Sequence, residues 1–500
     1  MQCIILLQKT NTTTLMKYNW IKILMASFLV LLITLILHTV FQKPWPAQKA
    51  KALLPLPDSA IVHMSRAVQI PTISPEDTLH IDTLHFTQFN QFLTNAYPLI
   101  HQQLKRTVVN GYSYVYQWDG TDKTLAPIIL MGHYDVVPVE QASVTMWQHP
   151  PFSGVVADSA IWGRGSVDDK SGVVSILETV EQLLKEGYQP KRTVLLCFGH
   201  NEESTGTGAI AIVDTLQKRG IRADLVIDEG GEISTEKIKD IPRPIAFIGV
   251  AEKGYATFQL KVSIPGGHSS KPARETAIDV LSRALYKLRS TQMPATITEP
   301  VATFLDRAGA SSTNFFNKVL LTNQWLFAWA DKRVLSASPE SNAMIRTTIV
   351  PTILESGVRE NVIPTIATAI VNSRILSGET THDVIQFMKN TIQDERVHIT
   401  VTGDFNTEPS AATDTHGPAF LAVQQAITDV VDDVIPVPFI MIGATDSRSY
   451  RKISNGVVNF SALMDSKGFH GLNERLPIAD YRRYYNFYRT VIETSAGLVH

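Results

Sequence analysis

The sequence predicts an α/β protein: a mainly parallel sheet, interrupted by a smaller α+β unit and led by one apolar N-terminal helix. Short, wholly apolar runs recur, each ending in a polar cluster. They are Ile128-Ile-Leu-Met-Gly-His133-Tyr-Asp135, Thr193-Val-Leu-Leu-Cys-Phe198 ahead of Glu202-Glu203, and Asp224-Leu-Val-Ile227 ahead of Asp228. Such runs fit strands buried on both faces, and open α/β sheets carry ligands at the carboxyl ends of such strands. Helical stretches separate them, giving the strand–helix–strand order of a parallel sheet. From Ala251 the pattern changes: Phe258, Leu260, Val262 and Ile264 alternate with polar residues, as half-buried strands do.

The N-terminal element comes first. Ile23 to Phe41 is apolar except for Ser27, Thr34, His38 and Thr39, long enough to cross a bilayer core. It exceeds a usual signal h-region, and no small-x-small cleavage site follows. Lys17 and Lys22 precede it while Lys43, Lys49 and Lys51 follow, so the charge asymmetry that orients such segments is weak. The expectation is a signal anchor (about 21–41, within segment 1–42) that leaves the rest outside the cytoplasm. The alternatives are secretion after cleavage and a buried core helix. Met16-Lys-Tyr-Asn makes a more ordinary start than Met1. Pro44, Pro46, Pro55 and Pro57 with three lysines then read as a tether over 43–58.

A first part of the larger domain spans 59–250. Ala60–Gln69 and Asp77–Tyr97 have helical spacing, the second with Phe86, Phe89 and Phe92. Val108–Trp118 reads as a strand, and Asp119-Gly120 as the turn before Pro127–Met131. After Asp168, residues Ile176, Leu177, Val180, Leu183 and Leu184 share one helix face that ends at Gly187. A strand at Thr193–Phe198, a helix at Ala209–Arg219 and a strand at Asp224–Ile227 follow. The second unit, 251–405, takes the alternating strand, a helix at Ala277–Leu288, and strands near Ile345–Ile353 and Ile366–Ile375. A helix at His382–Ile392 and a strand at Val397–Val401 complete it. That order, βαββαβ, is a split ferredoxin-like unit. The remainder, 406–500, returns to the larger domain, with a helix at Pro418–Asp429.

At 500 residues the chain exceeds one ordinary domain. With 44% hydrophobic and 18% charged residues and a net charge of −2, nothing points to nucleic acid or a strongly acidic partner. Cys3 and Cys197 suggest no disulfide framework, and Cys197 reads as a small buried residue in its apolar run.

The polar clusters suggest a chemistry. An imidazole with several carboxylates and no thiolate suits Zn²⁺, Mn²⁺ or Co²⁺. Two such ions about 3.5–4 Å apart, sharing a carboxylate, would polarise a carbonyl and acidify a bridging water. Glu202-Glu203 offers one carboxylate for metal and one for the water's proton. Taken singly, His-x-Asp is usually structural, Asp168-Asp169-Lys170 a turn and Glu202-Glu203 a solvated face. Their occurrence in order, each after a strand-like or glycine-punctuated run, weighs against those readings.

These phrases, with Trp147-Gln-His-Pro-Pro-Phe-Ser-Gly154, Asp228-Glu-Gly-Gly231, Gly267-His-Ser-Ser270, Thr445-Asp-Ser-Arg448 and His470-Gly-Leu-Asn-Glu474, resemble those of the M20 family of dinuclear zinc peptidases and amidohydrolases. The wording is similar to the branch of carboxypeptidase S and the N-fatty-acyl-amino acid synthase/hydrolase, from about residue 60 to the C-terminus. The resemblance implies a hydrolase of N-acyl amino acids or C-terminal peptide bonds, working through a metal-bridging water, with two zinc ions for which cobalt or manganese could substitute. It implies that His133 and Asp228 bind one ion, Glu203 and His470 the other, and Asp168 both, with a cis peptide between Asp168 and Asp169. Glu229 competes with Asp228. Asp135 would orient His133 from behind, and Glu202 would be the general base. His268 and Asn361, from a lid that also mediates dimerisation, would support the oxyanion and the substrate. Arg448, and secondarily Arg374, would clamp the substrate's free carboxylate. A strict dipeptide carboxypeptidase is the nearest alternative, and a membrane-anchored non-catalytic binding protein one of another class.

One stretch departs from the smallest family members. Residues 292–340 hold Phe304, Phe315, Phe316, Trp325, Phe327 and Trp329. They read as extra packing for the lid, or as a lining for a greasy substrate chain or a contact with the membrane.

Overall fold

The strand Ile128–His133 is buried at every residue and has strands on both sides. Its alternate side chains feed different cores, as a pleated strand requires. Ile128 and Leu130 pack with Val173, Ile176 and Leu177, whereas Ile129 and Met131 pack with Leu195, Cys197, Ala209 and Ile212. The helices Lys170–Lys185 and Ile478–Thr494 therefore cover one face, and Thr207–Lys218 the other. The structure, a computed structural model, describes residues 2–75, 81–238 and 240–495, with the side chains of 2–19 and 404 undetermined.

Across this sheet the order is Lys105–Val109, Ser113–Trp118, Val194–Gly199, Ile128–His133, Leu225–Asp228, Val457–Asn459, Ile245–Glu252 and Ile435–Met441. The four strands from Val194–Gly199 to Val457–Asn459 run parallel. The sheet as a whole is mixed rather than mainly parallel. Ser113–Trp118 pairs antiparallel with Val194–Gly199, and Val457–Asn459 antiparallel with Ile245–Glu252. Part of the difference lies at Val108–Trp118, expected as one strand. Asn110 and Gly111 adopt φ of 48° and 81° and turn it into a hairpin. Ile245–Glu252, Ile435–Met441, Val457–Asn459 and the helix Ile478–Thr494 are elements that periodicity did not resolve. The helix expected from Asp77 is observed at Thr83–Ala96, with Asp82 capping it, and its expected first residues lie outside the described ones.

The second unit matches the βαββαβ expectation. Its sheet has the order Thr348–Ser356, Ile366–Ile375, Gly254–Ser263, Val397–Thr407, with every pairing antiparallel. Helices Ala277–Ser290 and Thr381–Ile392 each begin at a capping box, Thr276 with Asp279 and Thr380 with Asp383. Together they close a separate apolar core around Phe258, Leu260, Val371 and Met388.

The aromatic insertion forms the helices Glu299–Ser311, Phe315–Thr322, Gln324–Leu335 and Pro339–Ile345. Of the insertion, Met293 joins the apolar core of the second unit, while the first helix packs elsewhere. Val301, Phe304, Leu305 and Ala308 lie against Phe247, Ile435, Val437 and Ile440, so the first helix covers the edge strand of the larger sheet. An open edge is a template for unwanted pairing, and a covering helix removes it.

At the N-terminus a helix spans Gln2–Phe41. Among the described residues its Trp20–Phe41 stretch is the one long and apolar enough to cross a membrane, with mean hydropathy 2.5 and only 6% of it buried. That exposure does not fit a core helix. The segment after it is no free tether. The guanidinium of Arg243 donates to the carbonyls of Trp45 and Pro46, Asp433 N–H donates to Gln48 O, Lys51 N–H to Asp429 O, and Leu54 N–H to Asn486 Oδ1. The backbone groups of this proline-rich strap are thus satisfied on the domain surface.

Candidate metal centre

The carboxyl ends of Ile128–His133, Val194–Gly199 and Leu225–Asp228 converge on Asp168. Its two oxygens face different imidazoles: Oδ1 lies 3.0 Å from His133 Nε2 and Oδ2 2.7 Å from His470 Nε2. Glu203 Oε1 stands 3.2 Å from His470 Nε2, and Glu229 Oε1 stands 3.0 Å from His133 Nε2. Ligand atoms of His133, Asp168 and Glu203 fall within 4.8 Å of one another, as do those of His133, Glu202 and Glu229. The peptide between Asp168 and Asp169 is cis.

Behind these groups lies a buried scaffold. Asp135, fully buried, approaches His133 Nδ1 with its Oδ1 at 3.3 Å, and its carbonyl lies 3.1 Å from the same nitrogen. The same carboxylate accepts from the N–H groups of Glu202 and Glu203, at 3.1 Å each, and from Ser74 Oγ at 2.6 Å. One side chain therefore fixes both the imidazole and the turn that presents the paired glutamates. Gly132 and Gly199, the last small residues before the site, leave room for buried carboxylates: a Cβ there would meet Asp169 Oδ2 at 2.5 Å and Asp446 Oδ2 at 2.7 Å. Glu474 ties two distant stretches of the chain together, accepting from Arg164 (2.6 Å), Val167 N–H (2.8 Å) and Asp168 N–H (3.2 Å). It clamps the His470 loop to the Asp168 turn.

The electrostatics are those of crowded anions. Burial works to raise the Asp168 carboxyl, but hydrogen bonds from His133 and His470 hold it below the ordinary carboxylate range. Burial pushes Glu202 well up; His133 opposes this, and Asp446, Asp168 and Glu203 add to the rise. Burial likewise raises Glu229, with Asp168 contributing. Hydrogen bonds to Asp168 and Glu203 lift His470 to about 10. No lysine or arginine among the described residues forms an ion pair with Asp168, Glu202, Glu203 or Glu229. Imidazole and carboxylate donors at this density, lacking a basic side chain to balance them, have the charge and softness that divalent ions neutralise.

The comparisons agree with this arrangement. The model of "Peptidase family M20/M25/M40" matches residues 129–494. The chain belongs to that family. It is 36% identical to "Probable carboxypeptidase S-like 2" of Dictyostelium discoideum over 97% of this chain and 96% of that one. It is 35% identical to the human "N-fatty-acyl-amino acid synthase/hydrolase PM20D1" over 86% of each. Among solved structures, the M20 family metallo-carboxypeptidase Sso-CP2 from Sulfolobus solfataricus shares the fold, with TM-score 0.64 and 18% identity over 88% of this chain and all of that one. As an M20 member the chain is a metallohydrolase, which removes the reading of a non-catalytic binding protein.

Not every expected residue meets the cluster. Asp228 is buried beside it, but its Oδ2 accepts from Thr445 Oγ1 (2.8 Å) and Ser447 N–H (2.9 Å), and Glu229 is the one that faces His133. Glu252 accepts from Thr445 N–H at 3.0 Å and from Ser447 Oγ, so two buried acids anchor the loop that carries Arg448. Arg448 packs over Phe405, 4.5 Å from ring centre, and lines a cavity of about 600 Å³ with Ile210, Lys253, Phe405 and Ser410. Arg374 stacks 4.6 Å over Tyr255, close enough to Arg448 that the like charge works with burial to lower its pKa. His268 and Asn361 sit together at the exposed tip of the second unit: Gly267–His268 pairs with Val362–Ile363, and Ser269 N–H donates to Asn361 O at 3.1 Å. Neither contacts the metal cluster within the chain.

Sequence reasoning gave no role to Ser74, Glu252, Asp446 or Glu474. Asp446 and Glu474 left a trace, as members of the Thr445-Asp-Ser-Arg448 and His470 phrases. The scaffold role of Asp135 gives a direct expectation. Asp135→Asn should weaken metal affinity by about 10–100-fold without loss of fold, measured by competition with a graded series of chelators. Unchanged affinity would leave Asp135 with a packing role alone.

Proposed function

We propose that this chain hydrolyses an amide next to a free carboxylate, in an N-acyl amino acid or at the C-terminus of a short peptide, with two divalent ions as cofactors. The observation that carries the reading is Asp168, whose two oxygens face the imidazoles of His133 and His470, with Glu202 beside them. His133, Asp168 and Glu229 would hold one ion, and Asp168, Glu203 and His470 the other. Zinc suits this mixture of nitrogen and oxygen donors, with cobalt or manganese as substitutes. Bound there, the ions would supply Lewis acidity to the scissile carbonyl and acidify water. Glu202 takes a proton from the attacking water and delivers it to the departing amine nitrogen.

Arg448 gives the substrate's carboxylate a bidentate partner, with Arg374 as a second cation nearby. Arg448→Glu should raise KM for N-acyl amino acids by about 100-fold or more, since an attractive charge pair becomes a repulsive one. A KM unchanged in that variant would move the clamp elsewhere. His268 and Asn361, clustered and exposed, would complete the oxyanion site of a second copy of the chain through a lid-mediated dimer. The N-terminal helix would anchor the enzyme in a membrane with the catalytic domain outside the cytoplasm.

The relatives' names support two substrate classes, fatty-acyl amino acids and carboxypeptidase substrates. Hydrolysis of N-oleoyl-phenylalanine against Gly-Leu, measured together with metal content, separates them. Faster cleavage of the acyl amino acid supports the first reading, and faster cleavage of the dipeptide supports a strict carboxypeptidase. Turnover of neither would sink both. Condensation of a fatty acid with an amino acid is the same reaction reversed, its direction set by concentrations.

A further inference from the structure

We propose that the aromatic insertion is a membrane-surface docking face, which seats the catalytic domain on the bilayer from which its N-terminal helix emerges. The inference rests on reading that helix as a membrane span, and it adds a second, independent contact. The helix does not leave the bilayer alone. Leu35 and Thr39 are the buried points near its end, and Asn323 Nδ2 donates to Thr39 Oγ1 at 2.9 Å. The helix Phe315–Thr322, which ends just before Asn323, packs against the N-terminal helix. At a rise of about 1.5 Å per residue, Leu35 lies only about 9 Å below Phe41 along the axis. The interfacial layer on each side of the hydrocarbon is of order 5–10 Å thick, so any chain packed against Leu35 and Thr39 stands within it.

What the insertion presents at that depth is aromatic. Phe315, Phe316, Trp325 and Trp329 are 58%, 74%, 59% and 69% exposed, unusual for side chains of this size on one small helical unit. Trp325 follows Asn323 by two residues, which places it next to the helix exit, and Trp329 lies one turn further on the same stripe. Lys332 and Arg333 close that helix. Tryptophans at the headgroup level with basic residues beside them are the composition of interfacial anchors.

The strap fixes the orientation. Arg307 stacks 4.4 Å over Trp45, the Arg243 guanidinium holds the Trp45 and Pro46 carbonyls, and further bonds secure residues 48–54. The domain therefore cannot swing away from the span, and the face it turns to the lipid is set by the fold. For these four rings contact with the membrane accounts for the geometry better than a greasy lining does. They are exposed, they line neither the Arg448 cavity nor the one beside Asp224, and their helices pack on one another, on Glu299–Ser311 and on the N-terminal helix rather than on the strands that carry the metal cluster. A second copy of the chain is the other possible occupant, but contact with the end of an apolar span favours lipid.

The test uses the full chain in phosphatidylcholine nanodiscs, with and without brominated acyl chains that quench tryptophan on contact. Trp20→Phe removes the reporter inside the span. The remaining emission of that variant should still be quenched, and adding Trp325→Phe and Trp329→Phe should abolish most of the quenching. Quenching of wild type but not of Trp20→Phe would overturn the docking face while leaving the span in place. No quenching of wild type would remove the span reading itself. Quenching in Trp20→Phe that survives loss of both insertion tryptophans would also overturn the proposal, as would a dimer in detergent that the Phe316→Glu and Trp329→Glu substitutions dissolve while quenching of Trp20→Phe is absent.

Discussion

Replacing Glu202 by glutamine should lower turnover by about 10²–10⁴-fold, a rise of about 3–5 kcal/mol in the barrier, with the metal retained. The amide keeps the shape of the side chain and its place at the end of the turn that Asp135 holds, and loses only the basicity. What makes the outcome informative is that Glu202 also lies within ligand distance of His133 and Glu229. If it were a metal ligand rather than the base, the variant would lose an ion as well as activity. Metal content by elemental analysis, read beside turnover, separates the two roles: two ions kept with turnover gone supports the base. Near-normal turnover would falsify both. Burial, with the nearby Asp446, Asp168 and Glu203 adding to it, raises this carboxyl's affinity for a proton, and bound cations would work in the opposite direction.

How much of this site was legible in advance depends on how each residue is delivered. His133 and Glu203 follow apolar runs, and a strand that is buried on both faces has one place for polar side chains, its end. Asp168 and His470 sit in glycine-marked loops, whose turns expose a side chain in a definite direction. Asp228 and Glu229 were ambiguous for a reason inherent in strands. Successive side chains point to opposite faces, so two adjacent acids at a strand end are told apart only by which face carries the site. In the fold, Asp228 turns toward Thr445 and Ser447 while Glu229 turns toward His133. The strap at 43–57 misled through composition: prolines and lysines read as a tether, yet its amides and carbonyls find partners far away in sequence, on Arg243, Asp429 and Asn486. The insertion's position against an edge strand was equally invisible, because Phe304 meets Ile435 and Val437 across more than a hundred residues. The second unit, with alternating strands and capped helices, follows local rules throughout and was read nearly whole.

The contrast between the adjacent acids is itself an experiment. Glu229→Gln should cost one of two metal equivalents and lower turnover by about 10²-fold or more, since a site ion supplies several kcal/mol of transition-state stabilisation. Glutamine can still occupy the space 3.0 Å from His133 Nε2, but it offers a neutral oxygen where a divalent ion requires an anionic one. Asp228→Asn should keep both ions. Its oxygen accepts from Thr445 and Ser447, so the damage falls on the loop that carries Arg448 and appears as a raised KM. Equilibrium dialysis against zinc, followed by elemental analysis and kinetics on both variants, reads the two effects separately. The reverse pattern, with Asp228→Asn losing an ion and Glu229→Gln retaining both, would require the end of the strand Leu225–Asp228 to present its opposite face to Asp168. That outcome would return the ligand to Asp228 and make Glu229 a neighbour that the metal does not use.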